Sequence, residues 1–394
     1  MNKKAINSLA ALAAAAAMPV QGESAPTEQV LAYRYSQYQE ADAPRERTFT
    51  PVTERYSIDV HQFRYARPLA DNWYLNSDFQ YETLSGASPM QTYQNAQGQS
   101  VLLMSGASIN ETRYDLKVAP KRYFSGVMDG QFDATLGGNL GVSLENDYRS
   151  IFTGMDGSLT LFNRHTTLLG SLSLSWDELS PSDAFLSPDR QRADGRSKRS
   201  VSVYEGVSQI IDKNRVVQAG VGFTRLSGYL SDPYKFDDRR PDERNQLTLN
   251  VLYRHFFPVG DGAALHADFR YYSDNWGIHS QTLTARWAQS IDLAPVQFRL
   301  IPMLRYYRQS AADFYSLAQN PPDDQFNSSD ARLSAYGAIS AGLEARMIWS
   351  QWTLSTDWQT YYSAENLALL DTTSKETPAL VDYTLFSVGL EYRY

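Results

Sequence analysis

Polar and apolar side chains alternate in about sixteen segments of roughly ten to seventeen residues, spread along nearly the whole chain. Period-two alternation puts one face of a strand against an apolar medium and the other against water. The last nine residues are the cleanest instance. Phe386, Val388, Leu390, Tyr392 and Tyr394 share one face, and Ser387, Gly389, Glu391 and Arg393 share the other. A final strand ending on an aromatic is the form of a barrel-closing strand, so these five apolar positions are expected to act as the insertion signal read by the barrel-assembly machinery. Taken alone, the segment also fits an edge strand of a soluble sandwich.

Alternation repeats upstream. Tyr56, Ile58 and Val60 alternate with Arg55, Ser57, Asp59 and His61, and Trp73, Leu75, Phe79 and Tyr81 with Asn76, Asp78, Gln80 and Glu82. Tyr114, Leu116 and Val118 stand against Arg113, Asp115 and Lys117. Leu247, Leu249, Val251 and Tyr253 oppose Thr248, Asn250 and Arg254, and Leu265, Ala267, Phe269 and Tyr271 oppose His266, Asp268, Arg270 and Tyr272.

The connections discriminate between barrel and sandwich. One set of alternate links is short (67–71, 163–166, 212–214, 257–262, 291–295 and 348–351). The other set is long (41–52, 85–108, 177–197, 229–243, 310–331 and 363–380). Short inner turns and long outer loops characterise bacterial outer-membrane barrels. Short outer links near 147–150 and 273–277 and a long inner link near 120–130 depart from the pattern. The pattern predicts an all-β fold: a single transmembrane antiparallel β-barrel of about 16 strands (14–18), with short periplasmic turns and long extracellular loops.

Addressing and composition agree. Lys3 and Lys4 precede a short alanine-rich apolar stretch from Leu9 to Val20, with small residues at Gly22 and Ser24. Residues 1–24 are expected to be a signal peptide cleaved near Gly22 to Ser24, and 25–394 the barrel, in the outer membrane of a Gram-negative bacterium. Losing the two lysines would take the net charge from −8 to −10, or to −9 once Glu23 leaves too, which excludes a nucleic-acid partner. The chain has no cysteine, so disulfides and thiolate metal sites are excluded. After the leader no apolar run reaches the ~18 residues of a spanning helix. The 26 tyrosines and 7 tryptophans suit membrane interfaces, where the ring lies in lipid and its polar tip among headgroups.

Ser85 to Pro89 (SGASP) with its echo Ser105 to Ser108 (SGAS), Gly228 to Lys235 (GYLSDPYK), Phe269 to Ile278 (FRYYSDNWGI) and Leu304 to Tyr315 (LRYYRQSAADFY) form a distinctive series. With these motifs the chain resembles the proteobacterial outer-membrane family catalogued as domain of unknown function 3570, over essentially all of the mature sequence. The resemblance implies an outer-membrane barrel. It also implies a redox setting, because members are often encoded beside periplasmic flavin-transfer and thioredoxin-like proteins; it assigns no residue a role.

Direct signals of chemistry are sparse. His255 and His266 flank one short turn and would be neighbours if they laddered across it, although surface histidines are the simpler reading. Ser273, Asp274 and His279 lie near one loop and supply the parts of a lipid-acting site, without a G-x-S-x-G elbow. No metal, cofactor or catalytic residue is therefore assigned, and the chain is read as a non-enzyme. Asp232, Asp237, Asp238 and Asp242 in one loop, and Asp323, Asp324 and Asp330 in another, suit calcium. Interleaved Arg239, Arg240 and Arg244 make ion pairing, within the loop or to another loop, the cheaper explanation. The same mixture could bind lipopolysaccharide phosphates.

The polar faces carry the functional expectation. Inward assignment makes Arg254, Asp268, Arg270, Arg286, Arg299 and Arg305 candidate lumen-lining charges, with Asp59, Asp78, Glu82 and Asp115 on an earlier arc. Opposed walls of this kind orient polar solutes in a porin-like channel for small polar or anionic solutes. Internal pairing, for instance of Asp268 with Arg254 and Arg286, would leave the charges as filling. The alternatives are a non-conducting barrel that docks a periplasmic redox or lipoprotein partner, and a barrel enzyme acting on lipid. The sequence specifies no oligomer seam.

Overall fold

The computed structural model describes residues 24–105, 109–127, 132–161, 164–318, 321–322, 324–371 and 377–394; the side chains of Ile109, Leu186, Leu370 and Asp371 are not described. All but the last residue of the expected signal peptide falls outside this range. Eighteen strands run in chain order: β1 (Val30–Glu40), β2 (Ser57–Ala70), β3 (Trp73–Gly86), β4 (Pro89–Gln94), β5 (Ser100–Met104), β6 (Ile109–Gly126), β7 (Phe132–Glu145), β8 (Tyr148–Thr160), β9 (Thr166–Leu179), β10 (Arg196–Asp212), β11 (Arg215–Gly228), β12 (Glu243–Phe257), β13 (Ala263–Asp274), β14 (His279–Leu293), β15 (Val296–Gln309), β16 (Tyr336–Trp349), β17 (Trp352–Ala364) and β18 (Tyr383–Arg393). Sixteen of them close an antiparallel barrel in which β1 pairs with both β2 and β18, while β4 and β5 form a separate hairpin. Closure satisfies every edge, as a sheet in hydrocarbon requires. The seam extends one rung past the strands: Gln29 and Tyr394 exchange backbone hydrogen bonds of 2.9 and 3.0 Å.

Parity of exposure fixes which way each strand faces. Leu140 is 61 % exposed and Leu304 65 %, whereas Ser340 is 1 % and Ser387 2 % exposed. Large apolar side chains therefore point outward and small or polar ones inward, the inverse of a soluble protein. Phe386, Leu390 and Tyr394 are all exposed on the outer face.

Two sequence expectations are corrected. The inner link near 120–130 is shorter than expected: β6 continues to Gly126, carrying Pro120 opposite Leu75, and β7 opens at Phe132. At the outer end of β2 the faces are reversed. Ile58 is buried inside against Leu84, with Tyr56, Tyr38 and Val60 packed around it. Asp59 and His61 instead lie on the side of the exposed Phe63, where Asp59 accepts a 2.5 Å hydrogen bond from the Tyr35 hydroxyl and His61 Nδ1 lies 2.8 Å from the Tyr33 hydroxyl.

The interior covering is the reason for that reversal. Ala43, Ala87, Leu102, Met104, Ala331 and Ala379, contributed by four different outer loops, form one buried apolar cluster with Val52 and Leu380. A second joins Leu230, Trp276, Ile278, Ala312 and Leu333. The outer loops thus have a core of their own, and the β4–β5 hairpin lies within it. Leu102 is fully buried there.

Candidate lumen and its loop cap

Three loops anchored at well-separated points of the rim meet one another. The loop bearing the β4–β5 hairpin rises between β3 and β6, the 229–242 loop between β11 and β12, and the 310–335 loop between β15 and β16. In the ring of sixteen strands the first and second stand six strands apart, as do the first and third on the other side. A barrel of this size is on the order of 30 Å across, so contacts between such anchors must cross the mouth. They are direct. Phe236 N–H donates to the Met90 carbonyl at 3.0 Å and Gln94 N–H to the Leu317 carbonyl at 3.1 Å. Lys235 Nζ donates to the Pro89 carbonyl at 2.8 Å, and Thr92 N–H to Ser329 Oγ at 3.1 Å. Arg239 and Asn327 exchange two backbone hydrogen bonds of 2.8 Å. The loop after β1 joins at the edge, where Arg55 donates to the Leu380 and Ala379 carbonyls at 3.0 and 3.2 Å.

Acidic and basic side chains lock the centre. Arg240 pairs with Asp238 of its own loop at 2.7 Å and with Asp330 of the 310–335 loop at 2.8 Å, and these three side chains are only 1–2 % exposed. Arg332 pairs with Asp330 as well and reaches Asp232 at 3.2 Å. Burial alone would raise the Asp330 carboxyl, but Arg332, Lys235 and Arg240 hold it well below the usual carboxylate range. Burial opposes Lys235, Arg332 and Arg240 in the same way at Asp232, and the cations again prevail. Of the acidic loop residues considered for calcium, Asp232, Asp238 and Asp330 are thus tied to arginines of two loops, and Asp323 lies outside the described residues. Arg244 turns the other way, pairing with Asp274 at 2.5 Å and standing 4.3 Å over the Trp276 ring. No cluster of three or more metal-ligating side chains occurs among the described residues.

Beneath the cap, register brings Arg254, Asp268, Arg270, Arg286, Arg299 and Arg305 to the inward parity of β12 to β15, opposite in sense to exposed Leu249, Phe269, Leu283 and Leu304. Asp268 pairs with Arg254, and with Arg286 at 3.2 Å. One carboxylate thus serves two guanidiniums, and the trio keeps a net positive charge. Arg305 Nε donates to Thr284 Oγ1 at 3.3 Å. Arg270, Arg299 and Arg305 have no carboxylate partner among the described residues. Tyr272 and Tyr307 neighbour Arg270, and Tyr361 and Tyr383 neighbour Arg305; the last two rings stack at 4.7 Å. Of the acidic arc, Asp78 pairs with Arg64 and Asp115 with Arg113, each at 2.7 Å, while Glu82 is buried and accepts from Gln80 and Asp59 lies on the outer face. Small residues line the adjoining wall, where Tyr204 of β10 lies over β11: a Cβ on Gly220 would fall 2.1 Å from its hydroxyl.

The remaining candidates separate. His255 stands opposite Leu265 and His266 opposite Arg254, so the two imidazoles occupy different faces and the idea of a rim pair is corrected. Ser273 and His279 are direct cross-strand partners. Asp274, however, is on the other face, accepting from Tyr272, Trp276 N–H and Ile278 N–H, and cannot complete a triad with them. The hairpin in the cap was missed from sequence, although the apolar run Val101 to Met104 after the Asn95–Gly98 turn was a usable signal.

The sequence matches the family described as Protein of unknown function (DUF3570) over residues 4–373. No curated protein is similar to it in sequence. Among solved structures, one titled a bacterial polysaccharide outer membrane secretin is 10 % identical, with 92 % of this chain and 98 % of that one covered at a TM-score of 0.50. OccK3 (OpdO) of Pseudomonas aeruginosa is 9 % identical, covering 93 % and 95 % at 0.41. A COG4313 outer membrane channel from Pseudomonas putida F1 is 13 % identical, covering 74 % and 99 % at 0.39. The likeness is one of fold, that of an outer-membrane barrel.

Proposed function

We propose that this chain, which belongs to the DUF3570 family, is a porin-like outer-membrane channel for small anionic solutes, held shut at its outer mouth by the loop cap. One observation carries the reading. Arg270, Arg299 and Arg305 line the inside without carboxylate partners among the described residues, whereas Asp268 on the same wall is shared by Arg254 and Arg286, and the inward Glu82 and Asp357 stand on other strands. The surplus field of the β13–β15 wall is therefore positive, and a water-filled lumen with such a wall concentrates anions. Tyrosine hydroxyls around Arg270 and Arg305 add neutral donors suited to carboxylate or phosphate oxygens. Export through the expected leader and insertion through the terminal strand belong to the same proposal.

The test is the reversal potential in a salt gradient across a planar bilayer, measured on an Arg240→Ala variant in which the cap is released. Anion preference that falls in an additional Arg270→Gln/Arg299→Gln pair supports the reading. Cation preference, or selectivity indifferent to those two arginines, refutes it. The closed outer mouth favours one second reading, a silent barrel that presents its inner end to a periplasmic partner. Absence of conductance after the cap is released would select it.

A further inference from the structure

The outward face offers an independent observation. Charged side chains at outward positions cluster near the strand ends, as with Arg149, Glu178, Arg215 and Arg225, and Glu205 is the exception. It shares the exposed side of β10 with Val201, Val203 and Val207, all exposed. Its cross-strand neighbours are Gly170 and Val221. At about 3.3 Å per residue on a strand tilted about 40°, it lies about 10 Å from the level of Gln209 and about 15 Å from that of Arg199. Those two distances sum to the ~25 Å height of an outer-membrane apolar belt, so the carboxyl is deep in hydrocarbon. It does not reach toward either interface. It lies sideways over Gly170, with its carboxyl oxygens 3.4 and 3.5 Å from where a Cβ there would be.

The aromatic girdle is interrupted at the same place. β1, β2, β3, β6 and every strand from β11 to β18 carry at least one outward Tyr, Trp or Phe, whereas on β8, β9 and β10 Trp176 alone is aromatic. Outward glycines replace the rings: Gly138 on β7, Gly157 on β8 and Gly170 on β9, the last two paired with each other. Interfacial aromatics anchor a surface to lipid headgroups, and small residues let another backbone approach. A lone carboxyl in hydrocarbon, a missing girdle and a glycine depression all describe a surface that faces protein.

We infer that this face, β7 to β10 centred on Glu205, packs against a second copy of the chain across a two-fold axis. Charge chemistry identifies the mate. No other outward strand position of the described residues puts a charged group at that depth, so any different face of a second copy would leave the carboxyl against apolar side chains. Only the same face returns a matching group. The Glu205 side chain and its two-fold mate can hydrogen-bond each other, which is the self-complementarity an isologous contact needs. Four strands of belt measure about 25 Å by 25 Å, hence about 600 Å² per copy and about 1,200 Å² in total, within the range of specific interfaces.

The absence of cysteine makes the test clean. The full barrel in lipid nanodiscs is weighed by native mass spectrometry, and Val203→Cys is treated with a short bifunctional thiol reagent beside Leu300→Cys on the far wall. A mass of two copies, with cross-linking at 203 and at least tenfold less at 300, is expected. Glu205→Gln should keep the dimer because an amide pair also donates and accepts. Glu205→Leu, a change that lipid itself tolerates, should lower cross-linking at 203 at least tenfold while the folded barrel still shows its heat-modifiable mobility. A single-copy mass for the unmodified chain, equal cross-linking at 203 and 300, or a Glu205→Leu protein as dimeric as the parent would each overturn the inference. So would a cross-linked product containing a different protein.

Discussion

Replacing Arg240 with alanine is expected to release the cap. The guanidinium joins Asp238 and Asp330 at 2.7 and 2.8 Å, and all three side chains are almost wholly shielded from water. Removing it leaves two carboxylates facing each other without that shared cation, and Asp330 keeps Arg332 and the field of Lys235. Breaking a buried ion pair from one side costs about 3–5 kcal/mol, because the orphaned charge remains in a medium that solvates it poorly. At 1.4 kcal/mol per decade the open fraction of the cap rises by roughly two to three and a half orders of magnitude. Hydrogen exchange of the Thr92, Arg239 and Asn327 amides, all of which bridge loops, reads that change directly. Adding Asp238→Asn and Asp330→Asn to the variant should restore much of the protection, since no uncompensated charge is left. Exchange in Arg240→Ala within about threefold of the parent would refute the claim that this network holds the cap shut.

Other outcomes follow from the same geometry. Asp330 and Asp232 sit below the usual carboxylate range, so their contribution to the cap is complete above the unfolded value near ~3.9 and disappears only as pH falls through the lower folded values. Cap amides should therefore exchange as slowly at pH 5 as at pH 7, and opening at pH 5 would contradict the assignment. Gly220→Val drives a side chain into the Tyr204 ring and should reduce the refolded yield, with recovery when Tyr204 is shortened to alanine; an unaffected yield would show that the ring is not held there. Deleting Tyr394 removes the aromatic that follows the closing strand and its hydrogen bonds to Gln29, and the amount of inserted barrel should fall. Normal insertion would remove the role given to that residue.

The strands of the barrel were legible because lipid outside and water inside impose opposite demands on alternate residues, and β12 to β15 meet both without interruption. Their inward arginines followed from parity. What parity could not supply was pairing. Whether Asp268 pairs with Arg254 and Arg286 depends on the stagger of β12, β13 and β14, which alternation leaves free. The reversed end of β2 failed for a different reason. Above the lipid belt the outside of the barrel faces water while the inside is roofed by loops, so Ile58 and Val60 turn inward and Asp59 outward. A rule that equates apolar with outward holds only at membrane depth. The cap was hidden because its partners are loops far apart in sequence: Asp238 and Arg240 could be seen to match in charge, but not to reach Asp330. Glu205 stood in plain view among Val201, Val203 and Val207, yet only the register that seats it over Gly170 gives it a depth and a neighbour.

The central claim is a lumen sealed on the outside by its own loops and reached from the periplasmic end, where Ala25 and Val30 pack against the inward-facing Ala66, Tyr74 and Tyr123. Sidedness of labelling tests it most directly. Arg270→Cys puts the chain's sole thiol on the inner wall below the cap, and a membrane-impermeant thiol reagent can be added to either face of oriented proteoliposomes. The account predicts rapid labelling from the periplasmic face, slow labelling from the outer face, and fast outer labelling once Arg240→Ala is added. Equal rates from both faces with the cap intact would contradict it.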